Sequence, residues 1–309
     1  MSTDTAGKPE PPETLQNIPT DAYTARIVKQ KVWRRANIKN KHFMGVVVGR
    51  EGHGKSHTAL KIASTVDPSF NAQRVFFDPE RLLETVQSND LGTGHAVVID
   101  EAGVGLGNRT WYDEDQIMLN QALQTIRDDN MVVLFTLPRL SELDSQTRGR
   151  LHAYIEMQEV YPEDGYATAR WLNISPSRDG SGEIYKKYVR LRAYGRKKRI
   201  EQVRFTPPPA ELVENYEQRK QQFKDELFED ILADAEGEAD QTDMGPEEIA
   251  QEIATDSIEE YISEDGKTGS PYINKDLIRV GYSISHSDAR AVKSILKQSF
   301  ADSQLEELI

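Results

Sequence analysis

The 309-residue chain contains no cysteine, which excludes disulfides, iron–sulfur clusters, thiolate zinc sites and cysteine nucleophiles. It also lacks any run approaching the ~18 to 20 apolar residues that a membrane-spanning helix requires. Met1 to Thr20 is polar and proline-rich rather than a basic-then-apolar leader, so the expected location is cytoplasmic. Positive charge is scarce in total: 38 Lys and Arg stand against 51 Asp and Glu, a formal charge of −13. As a sum this argues against nucleic acid, whose phosphates attract positive protein. The distribution says otherwise. Asp225 to Asp265 holds 17 acidic residues and no Lys or Arg, and the rest of the chain, with 38 basic against 34 acidic residues, is mildly positive.

The length allows one large domain and an appendage. Residues 1–20 have no periodicity and read as a disordered tail. Residues 21–209 read as an α/β body. Phe43 to Val48 is a buried strand running through a Gly-rich turn into a helix from Lys55, and Arg74 to Phe77, Ala96 to Ile99 and Met131 to Phe135 are further apolar strands. Helices are expected at Pro79 to Gln87 and Asp115 to Arg127, and a short strand at His152 to Met157. Such βαβ alternation predicts a parallel sheet covered on both faces. Tyr166 to Ile174 and Ile184 to Tyr194 predict a β-hairpin extension. Residues 210–245 read as a charged helix and acidic linker. Residues 246–309 read as three helices (Glu247 to Ile262, Asn274 to Val280, Ser287 to Gln298), the last two joined through Gly281 as a helix-turn-helix, a small winged-helix-like domain.

One segment carries recognisable chemistry. Gly49-Arg-Glu-Gly52-His53-Gly54-Lys55-Ser56 fits G-x-x-x-x-G-K-[ST] between a buried strand and a helix. Glycines let successive backbone N–H groups turn inward at a helix N-terminus, where the dipole also favours phosphate. Gly49, Gly52, His53, Gly54, Lys55, Ser56 and His57 are therefore the expected ATP contacts, with Lys55 on the β and γ phosphates and the Ser56 hydroxyl on Mg²⁺. Ala96-Val-Val-Ile-Asp100-Glu101 is an apolar strand ending in two carboxylates. In a P-loop fold it is expected beside the phosphate loop, with Asp100 holding Mg²⁺ through water and Glu101 polarising the attacking water. Thr136 ends a third strand on the same side and is placed to sense the γ-phosphate. His53 and His57 are spaced i, i+4, but His53 lies within the loop and no third ligand is near, so no zinc site is read.

The strings GREGHGKS, VVIDEAG and FTLPRLSELDSQTRGRLHAYIEM resemble the FtsK and HerA lineage of P-loop ATPases, and within it the zonula-occludens-toxin-like viral or plasmid ATPases. The resemblance covers Met44 to Met157. It implies a RecA-like core, a homo-oligomeric ring and ATP hydrolysis coupled to DNA movement, with capsid or other assembly proteins as further partners and virion association as a further location. The family often carries Gln after the sensor Thr, where this chain has Leu137. Ring ATPases complete their site with a neighbour's arginine; Arg127, Arg139, Arg148 and Arg150 are candidates, Arg148 and Arg127 foremost.

For DNA, period 2 puts Arg190 and Arg192 with Tyr188 and Tyr194 on one strand face, followed by a basic tip that includes Lys197 and Lys198. In the last helix Arg290, Lys293 and Lys297 are expected on the outer side. The expected function is a DNA-binding, ATP-hydrolysing oligomeric motor that translocates or packages viral or plasmid DNA. The alternatives are an ATP-gated DNA-binding switch in replication, partition or regulation, and a nucleotide-dependent scaffold without nucleic acid.

Overall fold

The computed structural model describes residues 9–16, 22–88, 91–100, 111–177, 183–193, 195–237, 244–264, 271–284 and 286–299. Much of the expected tail, the end of the acidic linker, Tyr194 and Ser285 lie outside them. The chain divides into two compact units, Met1–Lys220 and Gln221–Ile309.

The first unit opens with a short helix α1 (Glu13–Gln16), followed by α2 (Ala22–Ile27), π-helical turns Val28–Trp33 and α3 (Arg34–Asn37). In the sequence Arg26 to Lys41 stands out only as a basic stretch. In the structure it buries Ile27, Val28, Val32, Trp33 and Ala36, an apolar stripe at helical spacing beneath the charges. There follow β1 (Phe43–Val48), α4 (Lys55–Val66), β2 (Val75–Phe76), α5 (Pro79–Gln87), β3 (Ala96–Ile99), α6 (Trp111–Asp128), β4 (Val132–Leu137), α7 (Ser145–Arg150), β5 (Ala153–Tyr161) and β6 (Tyr166–Pro176). The unit closes with β7 (Ile184–Tyr188), β8 (Arg190–Ala193), β9 (Arg196–Arg199), β10 (Val203–Phe205) and the start of α8 (Ala210–Gly237).

An eight-stranded sheet runs β10-β6-β5-β1-β4-β3-β2, with β7 also on β6. β5, β1, β4, β3 and β2 are mutually parallel, whereas β6 pairs antiparallel with β5, β7 and β10. The result is a mixed α/β fold with a mostly parallel central sheet, consistent with a RecA-like core. β1 shows why both faces must be covered: Phe43 and Val47 join α4 and the N-terminal helices in one core. Met44, Val46 and Val48 join α5 and α6 in the other.

β4 lies between β1 and β3, with Val47 opposite Thr136 and Ile99 opposite Phe135. One expectation about the strands changes. The expected single strand Ile184 to Tyr194 divides at Val189. β7 stays on β6, while β8 turns away to pair with β9 in its own ribbon. The basic "tip" is therefore a paired strand.

In the second unit α8 continues to Gly237, followed by α9 (Pro246–Glu252), π- and 3₁₀-helical turns to Tyr261, β11 (Ile262–Glu264), β12 (Pro271–Ile273), α10 (Lys275–Tyr282) and α11 (His286–Ser299). The expected first helix is α-helical only to Glu252, continues as π- and 3₁₀-helical turns, and gives way to the β11–β12 ribbon at Ile262. Ile249, Ile253, Ile273, Ile278, Val292 and Leu296 are among the residues forming its core. Gly281 lies inside α10 rather than making the turn. A Cβ there would come within 2.7 Å of the Tyr261 hydroxyl, so its smallness serves packing. The chain reverses at Ser283, whose φ is 52°.

Candidate phosphate-binding site

β1 ends at Val48 and α4 starts at Lys55, and of the six residues between them Gly54 accepts the first helical bond, from the Thr58 amide. Gly52 and Gly54 take φ of 73° and 77°, a left-handed region that favours glycine, and Gly54 stands as the N-cap of α4. The space around Gly52 is open. Gly49 is needed for a different reason: a Cβ there would fall 2.9 Å from Cβ of Met157 on β5. Gly49→Ala is therefore expected to cost ~1–3 kcal/mol through overpacking, measurable by urea unfolding. Lys55 is buried, and its ammonium bends back to donate to the Arg50 carbonyl at 3.1 Å. A phosphate oxygen can replace that acceptor. His53 is half-buried and His57 exposed, the latter 3.8 Å from Glu217.

Asp100 follows β3 and is almost fully buried. A buried carboxylate needs donors, and it has three. Thr136 donates to Oδ1 at 2.5 Å, the Tyr216 hydroxyl donates to Oδ2 at 2.7 Å, and the Lys220 ammonium approaches Oδ2 at 3.4 Å. Lys220 also donates to the Tyr216 hydroxyl at 3.2 Å. Burial, and next the charge of Asp100, push the Tyr216 phenol well above its ordinary pKa, while a hydrogen bond from Ser56 acts in the opposite sense. The phenol thus stays protonated, hydrogen-bonds Asp100 and lies within the electrostatic influence of Ser56. The loop after β1 and the tip of β3 converge on one point, although β4 lies between their strands.

Tyr216 and Lys220, on α8, are the site residues that sequence reasoning missed. A signal existed: Leu212, Tyr216 and Lys220 recur every four residues, which puts them on one helix face, and Leu212 and Tyr216 are buried.

Of the other expected residues, Glu101 lies outside the described residues. Glu142, which was not among the expected residues, follows β4 and is half-buried, with Oε2 shielded and without a partner among the described residues. Its pKa is raised by burial, against the pull of the Arg139 amide and charge and of Lys55. Arg127 ends α6 beside Asp128. It acts with Arg35 and Arg150 on His42, whose pKa is lowered first by burial and then by those charges. His42 precedes β1, so Arg127 and Arg150 sit near the N-terminal end of that strand, whereas the Lys55 loop follows its C-terminal end. Arg148, on α7, is half-buried with its Nε shielded and unbonded.

No family model matches the chain. It is 26% identical over 130 residues to the uncharacterized protein B-251 of Sulfolobus spindle-shape virus 1, a match that takes in 36% of this chain and 51% of that protein. The chain thus spans about half the length of that curated relative. Among solved structures, the N-terminal domain of zonular occludens toxin from Neisseria meningitidis aligns at 12% identity and a TM-score of 0.30, covering 47% of this chain and 94% of that one. At that score the likeness carries no argument. Among the described residues no helix is long and apolar enough to cross a membrane.

The β8–β9 ribbon gathers the expected nucleic-acid residues. Val189 and Leu191 are buried, while Arg190, Arg192, Lys197 and Lys198 are exposed. Arg190 faces Arg199 and Arg192 faces Lys197 across the ladder; like charges directly opposite cost stability. Partial compensation comes from Glu201, 3.3 Å from Arg199, and from two rings, Tyr188 under Arg199 and Tyr23 under Lys198. In the second unit Lys297 is exposed and Arg290 and Lys293 are half-buried.

Proposed function

We propose that the chain is an ATP-hydrolysing P-loop enzyme with a RecA-like core that acts on DNA as an oligomer. The observation that supports it most is the Tyr216 phenol, which hydrogen-bonds Asp100 and is also influenced by the Ser56 hydroxyl. A hydroxyl at the start of a helix and a buried carboxylate at a strand tip, near a loop whose lysine is buried, would suit a divalent ion. Bound Mg²⁺ neutralises charge between the β and γ phosphates; Ser56 would hold it directly and Asp100 through water. The loop Gly49, Gly52, His53, Gly54 and His57 wraps the phosphate chain, and Lys55 turns from the Arg50 carbonyl to the β and γ oxygens. Thr136 keeps Asp100 aimed, and Glu101 polarises the water that attacks the γ-phosphate. An arginine from a neighbouring subunit, Arg148 or Arg127, completes the site in a ring. Glu101→Gln is expected to keep ATP binding and abolish phosphate release, and duplex DNA to raise the wild-type rate severalfold. If duplex DNA neither binds at moderate salt nor changes the rate, the scaffold reading gains.

The DNA contacts of this reading are Arg190, Arg192, Lys197 and Lys198 on the ribbon and Arg290, Lys293 and Lys297 on α11, read as the second helix of a helix-turn-helix. Reversing Arg192 and Lys197 together to Glu is expected to weaken duplex binding and to lower the slope of log affinity against log salt by about one for each phosphate that is no longer neutralised. Hydrolysis without DNA should be unchanged. Fluorescence anisotropy across a salt series reads the first effect and phosphate release the second.

A second reading, an ATP-gated switch, is favoured by Tyr216 and Lys220. They occupy the Asp100 oxygen that a hydrated cation would approach, so nucleotide binding must move the start of α8. Under this reading turnover is slow and the movement is the output.

A further inference from the structure

Beside the phosphate loop lies a small open cleft of about 120 Å³. Gly54, His57 and Thr58 form one side, the β5–β6 turn with Tyr161 and Tyr166 a second, and Phe205 to Pro207 the third. The cleft and the loop are continuous: a Cβ on Gly54 would lie 3.7 Å from Val160 and 3.8 Å from Ala167, both cleft residues. The walls suit a flat aromatic ring. Tyr161 and Tyr166 are stacked with centroids 4.8 Å apart, and the Arg204 guanidinium lies 4.8 Å from the centre of the Tyr166 ring. Val160 and Tyr161 remain 39% and 38% exposed, an apolar rim with no cover among the described residues. Thr206 adds a polar group: its Oγ1 is shielded and has no hydrogen-bond partner among the described residues. A shielded, unbonded hydroxyl is costly unless a ligand satisfies it.

We infer that this cleft is the nucleoside subsite, with the base of the nucleotide stacking on the Tyr161–Tyr166 pair and its polar edge meeting the Thr206 hydroxyl. The inference rests on the reading of Gly49 to Ser56 as a triphosphate loop. It adds residues that no phosphate motif predicts, since they come from a β turn and a post-strand segment more than a hundred residues downstream. The cleft is the concave surface that adjoins the loop on the His57–Thr58 side of α4. A hydroxyl both donates and accepts, so Thr206 suits the mixed edge of a purine.

The test compares ATP with inorganic triphosphate, both with Mg²⁺, by equilibrium binding to the full chain. The wild type should bind ATP the more tightly. Tyr161→Ala, at an exposed position that tolerates truncation, should weaken ATP by roughly 10-fold, as loss of a base–aromatic stack does, and leave triphosphate unchanged. Thr206→Val, nearly isosteric, should weaken ATP severalfold with the same selectivity. Equal binding of the two ligands by the wild type, or ATP affinity untouched in both variants, would overturn the subsite while leaving the phosphate loop standing. Failure of both ligands to bind the wild type would overturn loop and subsite together. A change in oligomer size in the variants with ATP binding intact would assign the cleft to a protein contact and also overturn the proposal.

Discussion

Lys55→Ala is expected to reduce affinity for Mg·ATP by ~100-fold or more. The ammonium is buried and already bonded to a loop carbonyl, so it is held close to the phosphate path with little freedom left to lose. On binding, it exchanges one neutral acceptor for two charged ones. Charge-assisted hydrogen bonds contribute about 1.5–3 kcal/mol each, and two of them set the expected loss at roughly 3–6 kcal/mol. Alanine keeps the helix, having high propensity at a first-turn position, so unfolding stability should change far less than affinity. Calorimetric titration of the variant against wild type checks this. Retention of wild-type affinity would place the triphosphate elsewhere.

The second large effect concerns Asp100. Its carboxylate is fully buried and the Lys220 side chain only 17% exposed, so the pair is shielded, and removing one partner leaves a buried charge. Buried pairs cost about 3–5 kcal/mol to break in this way. The 3.4 Å separation and the remaining bonds from Thr136 and Tyr216 reduce that to about 1–3 kcal/mol for Lys220→Met. Two results should therefore appear together: lower stability of the ligand-free chain in urea, and tighter binding of Mg·ATP, because closed and open arrangements compete. Freeing the site of an interaction of ~1–2 kcal/mol raises apparent affinity by roughly 5- to 30-fold. Tyr216→Phe should act in the same direction and less strongly, since Lys220 can still pair with Asp100. Affinity measured in EDTA should not change in either variant, which separates release of the cation site from a general loosening of the fold. Lower stability together with unchanged Mg·ATP affinity would mean that Tyr216 and Lys220 only brace Asp100.

Local chemistry was legible in the sequence and distant pairing was not. The strand, turn and helix around Gly49 to Ser56 follow from adjacent residues: apolar Phe43 to Val48, glycines where φ must be positive, and a helical stripe from Lys55. The insertion of β4 between β1 and β3 depends on a crossover that no local pattern encodes. The break at Val189 was hidden because the run Ile184 to Tyr194 has no glycine or proline to mark it. Val189 and Leu191 are both buried, whereas Tyr185 and Lys187, of the same parity in β7, are exposed. The helix of Ala22 to Asn37 was obscured by its charge, although Ile27, Val28, Val32 and Ala36 carry the spacing. Tyr216 was hidden differently, in a helix whose composition suggested a solvated linker; one buried phenol among many exposed charges is a weak signal until the fold brings Asp100 to it. The total charge was the least informative quantity, since its −13 is set by the acidic segment after Lys224 and hides the exposed basic ribbon.

The most direct test is a structure of the full chain with Mg²⁺ and a non-hydrolysable ATP analogue. The account predicts the triphosphate within Gly49 to Ser56, the metal between Ser56 and Asp100, and Tyr216 and Lys220 withdrawn from the carboxylate. Nucleotide bound away from that loop, or Tyr216 still bonded to Asp100 with no metal beside Ser56, would contradict it.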